Sequence, residues 1–330
     1  MKRREFIALL GGAAAGLSLA TSARAQPDRV RRIGVLTHLS ESNPEMQAWL
    51  TAFREKVGQL GWQDDRNVQL ISRFTAGRSD QLPVMAKEIV GLQPDVILSH
   101  APPATVALQR ETRTVPIVFV AVSDPVGPGF VANLSRPGGN LTGFLTFESG
   151  IVGKWLAMLK EIAPSLERVA LVANPKTTNF DYFLHAAVAA APSLTIEVVP
   201  NRVETAGDIE REIGTFAEKP NGALLLPPDG TVTRNHQLIV TLAARHRLPA
   251  VYPFRFLATA GGLMSYGIDH SVMYRQAASY VDRILRGERP ADLPVQTPTK
   301  YETVINLKTA KALGLSVPSG MLVAADEVIE

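Results

Sequence analysis

From about residue 33 onward, short continuous apolar runs alternate with amphipathic stretches. The first five runs are IGVLTH (33–38), VQLIS (68–72), VILSH (96–100), IVFVAV (117–122) and LTGFL (141–145). A second set follows: VALVAN (169–174), IEVVP (196–200), ALLLPP (223–228), AVY (250–252) and LMSYG (263–267). Most are unbroken and rich in Val, Ile and Leu, which is what a strand buried on both faces of a parallel sheet requires. Helical periodicity fills the gaps. Met46, Trp49, Leu50, Phe53, Val57 and Leu60 fall on one face, and Leu82, Met85, Ala86 and Ile89 on another. Val152, Trp155, Leu156, Leu159 and Ile162 make a third stripe; Tyr274, Ala277, Ala278, Val281, Ile284 and Leu285 make a fourth. These stripes, Trp49 and Trp155 included, read as core packing.

The alternation predicts an α/β protein of two similar lobes, each a parallel sheet with helices on both faces. The first crossover is placed near Phe144–Ser149. Late in the chain a long helix follows Asp269, and a Pro-rich stretch runs from Arg289 to Pro298. That order suggests a return to lobe one and a second return to lobe two, hence a hinge of several crossing segments. The expected division is residues 1–25 as a leader, 26–146 plus about 269–296 as lobe I, and 147–268 plus about 297–330 as lobe II.

The leader changes the picture of composition. A basic start (Lys2, Arg3, Arg4), an apolar stretch from Phe6 to Ala20 and the small-residue pattern Ala23-Arg24-Ala25 read as a secretory signal cleaved after Ala25. Its apolar run is too short and too rich in Gly and Ala for a transmembrane anchor. Arg3-Arg4 before Glu5-Phe6-Ile7 fits a twin-arginine signal and the Tat export machinery, with an ordinary Sec signal as the alternative. The formal charge of the whole chain is +3, from 34 basic and 31 acidic residues. Lys2, Arg3, Arg4 and Arg24 against the single acid Glu5 account for all of it, so the remainder is neutral. No basic block suggests nucleic acid. The chain has no cysteine, which excludes disulfides, thiolate metal sites and lipidation at cysteine. A soluble, exported monomer in a bacterial periplasm is expected.

In open parallel sheets ligands bind beyond the carboxyl ends of the strands. In lobe one those ends offer Thr37, His38, His100, Ser123 and Asp124; in lobe two, Asn174, Asp229, Tyr252 and Tyr266. Thr142 lies in the fifth strand near the crossover. The segment from His100 through Ala101, Pro103 and Ala104 joins a strand end to a helix start, and amides following Pro103 would favour an anion such as a carboxylate. Asp124 has two readings, pairing with a ligand ammonium or capping the turn of Ser123-Asp124-Pro125. His38 and His100 share one sheet edge but lack further ligands at metal-binding spacing, so no metal or cofactor is expected. His185, His236, His246 and His270 read as surface residues of helices or loops.

Two blocks carry a resemblance. VSDPVGPGFVANLSRPGGNLTGF (122–144) and the tail YVDRILRGERPADLPVQTPTKYETVINLKTAKALGLSVP (280–318), closing on ADEVIE, resemble the ABC-transporter substrate-binding family that includes periplasmic tryptophan- and phenylalanine-binding members. The resemblance spans essentially residues 31–330. It implies a type I periplasmic-binding fold: two Rossmann-like lobes, a hinge, and a small ligand held in the cleft. It implies an aromatic or branched-chain amino acid, or an aromatic carboxylate, as ligand, and an ABC permease with its ATPase as partner. Relatives with aromatic amino-acid ligands tend to carry an acidic-His-Pro stretch after the first strand, where this chain reads Thr37-His38-Leu39-Ser40-Glu41-Ser42-Asn43-Pro44. Ligand sensing for a membrane receptor, or a periplasmic enzyme, would use the same cleft. The enzyme reading finds no phosphate loop, no Gly-x-Ser-x-Gly elbow and no cysteine nucleophile.

Overall fold

The computed structural model describes residues 29–148 and 150–330. The leader lies outside the described residues, and so does the last residue of the expected crossover. The chain opens with β1 (Arg31–Thr37), α1 (Pro44–Gln59), β2 (Val68–Phe74), α2 (Leu82–Gly91), β3 (Val96–His100), α3 (Ala101–Glu111), β4 (Ile117–Val122) and β5 (Leu141–Leu145). After the crossover come α4 (Ile151–Ile162), β6 (Arg168–Ala173), α5 (Phe180–Ala190), β7 (Glu197–Arg202), α6 (Ala206–Ala217) and β8 (Gly222–Leu225). Then follow α7 (Gly230–Arg234), α8 (His236–Arg245), β9 (Ala250–Tyr252), α9 (Arg255–Thr259), β10 (Met264–Gly267) and the long α10 (His270–Leu285). The tail adds β11 (Glu302–Asn306), α11 (Leu307–Ala312), α12 (Ser319–Ala324) and β12 (Glu327–Ile329).

Among the described residues the strands form a five-stranded sheet, β2-β1-β3-β4-β5, and a seven-stranded one, β12-β11-β10-β9-β8-β6-β7. The first is parallel throughout. The second departs from the all-parallel expectation: β11 runs antiparallel to β10, and β12 pairs parallel with β11. An antiparallel neighbour needs no crossover helix, so the chain adds β11 straight from an extended segment. Both elements escape the hydrophobic pattern because β11 has two partly exposed residues of five and β12 is partly exposed throughout.

The apolar stripes become the sheet faces. Trp49, Leu50 and Phe53 of α1 pack with Tyr274, Ala277, Ala278 and Val281 of α10 over one face of the first sheet. Leu82, Ala86 and Ile89 of α2 cover the other face together with Ala104 and Leu108 of α3. So α10, which follows β10 of the second sheet, is built into the first lobe. Beyond it the chain runs beside β5: the Gln296 amide donates to the Gly143 carbonyl at 2.9 Å and the Gln296 carbonyl accepts from the Leu145 amide at 2.8 Å. It then enters the second sheet as β11. The second lobe has its own cores on either face, around Trp155, Phe147 and Phe183 and around Ile209, Phe216 and Leu224. Among the described residues no helix is long and apolar enough to cross a membrane.

Candidate functional site

The carboxyl ends of both sheets meet at a cavity of about 680 Å3. Its lining comes from segments that follow strands. His38 follows β1, His100 ends β3, Ser123 and Asp124 follow β4, and Thr146 follows β5. From the second lobe, residues 175–179 follow β6, Asp229 follows β8 and Phe254 follows β9. The two lobes touch around this cavity. Asn179 Nδ2 donates to Asp124 Oδ2 at 3.2 Å, and Arg234 Nη2 donates to the Gly77 carbonyl at 3.4 Å. A Cβ on Gly230 would stand 2.9 Å from His38 Nε2, so the absence of a side chain there lets the lobes approach.

An arc of rings runs along the wall. His38 stacks on His100 with centroids 5.6 Å apart, and His100 on Trp49 at 5.5 Å. Trp49 stacks on His270 at 4.5 Å, and His270 meets Phe254 edge-on at 4.9 Å. Phe256 stacks on Phe254 at 5.8 Å, and His236 closes the arc edge-on to Phe256 at 5.8 Å. Every member lines the cavity, and the arc passes from the first lobe to the second. Three of its imidazoles, His100 and His270 buried and His38 partly buried, are held toward the neutral form. Burial holds His38 down at about 4, with the Arg234 charge adding to the effect, and burial likewise holds His270 at about 4. Burial, then the neighbouring His38 and His270, keep His100 well below its ordinary range. His100 Nδ1 and Tyr274 Oη share a hydrogen bond of 2.8 Å. His38 Nδ1 and the Thr146 hydroxyl are buried without a hydrogen-bond partner among the described residues.

The acids are mostly engaged by the protein itself. Asp229 caps α7 through Val232 N at 2.7 Å, and its other oxygen accepts from the Thr177 hydroxyl and from Asn174 N. Burial raises its pKa while these hydrogen bonds oppose the rise. Asp124 Oδ1 accepts from Val126 N at 3.1 Å and Gly127 N at 2.8 Å, the turn-capping arrangement. The start of α3 differs from expectation. Pro102 and Pro103 occupy its second and third positions, where two of the orphan amides would have been. From Ala104 on, each amide reaches the carbonyl four residues back. Ala101 N–H is the donor left at that helix end, on a residue held at φ +68°.

Of the residues expected at the site, His38, His100, Ala101, Pro103, Ser123, Asp124 and Asp229 line the cavity. The others stand behind it. Thr37 Oγ1 accepts from Leu39 N at 3.1 Å, and Ala104 is buried under α3. Thr142 donates to the Leu293 carbonyl at 2.6 Å, fastening the segment after α10. Asn174 bridges Thr231 and Lys176 N, each at 2.8 Å. Tyr252 is a core residue of the second lobe, and Tyr266 stacks on Tyr301 at 5.3 Å. His270 is not a surface residue: it is 4% exposed, at the first position of α10 against Trp49 and Phe254. Trp49 belongs to the core, as its stripe indicates, and also faces the cavity. Sequence reasoning passed over Phe254, Phe256 and Glu45. Phe254 and Phe256 follow β9, so the strand-end argument that picked Tyr252 reaches them when extended by two to four residues. Among the described residues no group of three or more His, Asp or Glu side chains is arranged to hold a metal ion.

The profile of the family described as ABC transporter substrate binding protein matches residues 32–329. A curated relative, the tyrosine-binding protein of Clostridioides difficile strain R20291, is 24% identical over 273 residues, covering 83% of this chain and 78% of the relative. Among solved structures, an ABC domain from Streptococcus pneumonia in complex with L-Trp superimposes with a TM-score of 0.84 at 24% identity, over 91% of this chain and 99% of that one. A conserved domain protein from Vibrio cholerae O1 biovar El Tor gives 0.84 at 27% identity, over 91% and 100%. The ligand-free, open form of a substrate-binding protein with adhesive properties from Clostridium difficile gives 0.69 at 25% identity, over 91% and 99%.

Proposed function

We propose that this chain, which belongs to the ABC transporter substrate binding protein family, is the solute receptor of an ABC importer, exported to the periplasm, and that its cleft takes a small ligand with an aromatic body. The observation that carries the ligand class is the arc of stacked rings lining the cavity, from His38 through Trp49 to Phe256. Planar rings bind planar rings by offset or edge contacts, and such pairs add about 0.5–1.5 kcal/mol beyond area burial. A branched-chain amino acid would use little of that surface. The relatives support the choice, since one is a tyrosine-binding protein and another was solved with L-Trp. The position of the cavity between two sheets, with hydrogen bonds across it, suits a ligand that holds two lobes together. An ABC permease and its ATPase are the partners this role requires.

A thermal-shift screen of amino acids and aromatic acids on the purified protein tests the reading. A ligand at about 100 times its dissociation constant adds about 2.7 kcal/mol. For a chain of this size that raises the midpoint by roughly 4 °C. A shift with aromatic members of the panel and none with leucine or valine is the expected result. Shifts confined to aliphatic ligands would overturn the ligand class.

A further inference from the structure

We propose that Glu45 is the anionic partner of the ligand, and that with Trp49, His270 and Phe254 it forms a cage for an organic ammonium group. The inference rests on the cleft being the ligand site and names the end of the ligand that it reads. Glu45 and Trp49 are four residues apart on α1, so both fall on one helix face, and both line the cavity. His270 stacks on Trp49 with an interplanar angle of 22°, and Phe254 stands edge-on to His270 at 75°. Glu45 is thus the carboxylate beside the tightest ring cluster of the arc.

Among the described residues Glu45 makes no hydrogen bond or ion pair, unlike the neighbouring acids. Asp229 and Asp124 are held by backbone amides and by side chains of the second lobe. Glu111 is exposed at the far end of α3. The cation nearest in its influence, Arg255, is held by both Glu327 oxygens at 2.7 and 2.9 Å. Lys176, which does line the cavity, is paired with Glu204 at 2.6 Å. Glu45 is half-buried, and burial raises its pKa, with the Arg255 charge opposing the rise and Asp269 adding least to it. A cation arriving in the cleft would offset the cost that burial imposes on the carboxylate. The rings beside it suit the same guest, because aromatic faces attract cations and the His270 imidazole is neutral at ordinary pH. The class of group that fits is a primary or alkylated ammonium carried on an aromatic ligand.

Three indole probes separate the ends of the ligand: L-tryptophan, tryptamine, which lacks the carboxylate, and indole-3-propionate, which lacks the amine. Calorimetry would compare the unaltered protein, Glu45→Gln, and Glu41→Gln as an exposed control in the loop before α1. A charged hydrogen bond contributes about 1.5–3 kcal/mol, so Glu45→Gln should weaken L-tryptophan and tryptamine roughly tenfold to hundredfold. Indole-3-propionate should be unaffected, and Glu41→Gln should behave as the unaltered protein. Should Glu45→Gln lower the thermal midpoint, its affinity for indole-3-propionate reports whether the cleft is intact. Unchanged amine affinities in Glu45→Gln, or equally tight binding of L-tryptophan and indole-3-propionate by the unaltered protein, would overturn the cage while leaving the receptor reading in place. Failure of all three probes to bind would overturn the aromatic-ligand reading and the cage together.

Discussion

Asn179 Nδ2 lies 3.2 Å from Asp124 Oδ2, and this hydrogen bond joins the two lobes across the cleft. Both residues also serve their own lobe. Asn179 caps α5 through Tyr182 N, and Asp124 closes a turn through Val126 N and Gly127 N. Each side chain is therefore oriented before the lobes meet. Asp124→Asn keeps the turn but sets an amide against an amide across the cleft, and Asn179 cannot flip without giving up its cap. The pair is exposed, so its loss should cost only about 0.5–1.5 kcal/mol, roughly a twofold to tenfold loss of ligand affinity. The loss should be the same for ligands with and without an amino group. A loss confined to amine-bearing ligands would instead make Asp124 their direct partner.

Gly230 offers a purely steric test of closure. It starts α7 of the second lobe, and an added methyl would sit 2.9 Å from His38 Nε2 and 3.2 Å from His38 Cδ2. The His38 ring is stacked on His100 and has little room to yield. Overpacking of this kind costs about 1–3 kcal/mol. Because the contact exists only between lobes, Gly230→Ala should leave each lobe folded and weaken ligand roughly 5-fold to 150-fold. Small-angle scattering should show a larger radius of gyration for the variant at the same ligand concentration. An unchanged affinity would mean that His38 and α7 do not meet in the ligand-bound state.

The buried imidazoles set a pH window. His38 and His270 fall from an ordinary value of 6.5 to about 4 on folding, chiefly because burial disfavours the charged ring. Between those values the unfolded chain binds more protons than the folded one, so stability rises with pH there. The stabilisation is fully present above about 6.5 and is lost as pH falls toward 4. Thermal midpoints should be level near pH 7–8 and decline steadily below 6.5. His270→Gln should flatten that decline even if it lowers the midpoint at pH 7. An unaltered slope in this variant would show that another group carries the acid sensitivity.

Much of the architecture is written in the chain because strands buried on both faces leave unbroken apolar runs. Every run from IGVLTH to LMSYG overlaps a strand of the structure. Strands β11 and β12 are the exceptions: β12 is the edge of the second sheet with β11 beside it, and their partial exposure dilutes the pattern. At the cleft the limit is different. Strand-end reasoning finds the right edge but only some of the right residues, since neighbours along a strand point to opposite sides. Thr37 faces inward where His38 faces the cavity; Tyr252, the last residue of β9, is core, and Phe254, beyond the strand, lines the wall. An apolar stripe is equally silent about which of its members overhangs the strand ends. Trp49 does so and Phe53, one turn further along the same stripe, does not. His270 is invisible for a third reason: its neighbours Trp49 and Phe254 come from segments more than 200 residues away and from the other lobe's strand-end loop.

Trp49 also supplies an optical reporter. The chain has three tryptophans. Trp62 donates its indole N–H to Asp282 at 2.8 Å, and Trp155 donates to the Tyr266 carbonyl at 2.8 Å inside the second lobe's core. Neither lines the cavity, whereas Trp49 does. An aromatic ligand stacking in the arc should therefore perturb the emission of Trp49 alone. Titration with L-phenylalanine, which contributes no indole emission, should change the fluorescence of the unaltered protein if that amino acid binds. Trp49→Phe retains a ring between His100 and His270 and should bind within about tenfold, since a volume-reducing aromatic swap loses part of one ring contact. Its ligand-dependent emission change should vanish while thermal shift still reports binding. A full emission change persisting in Trp49→Phe would place the ligand beside Trp62 or Trp155 and away from the arc.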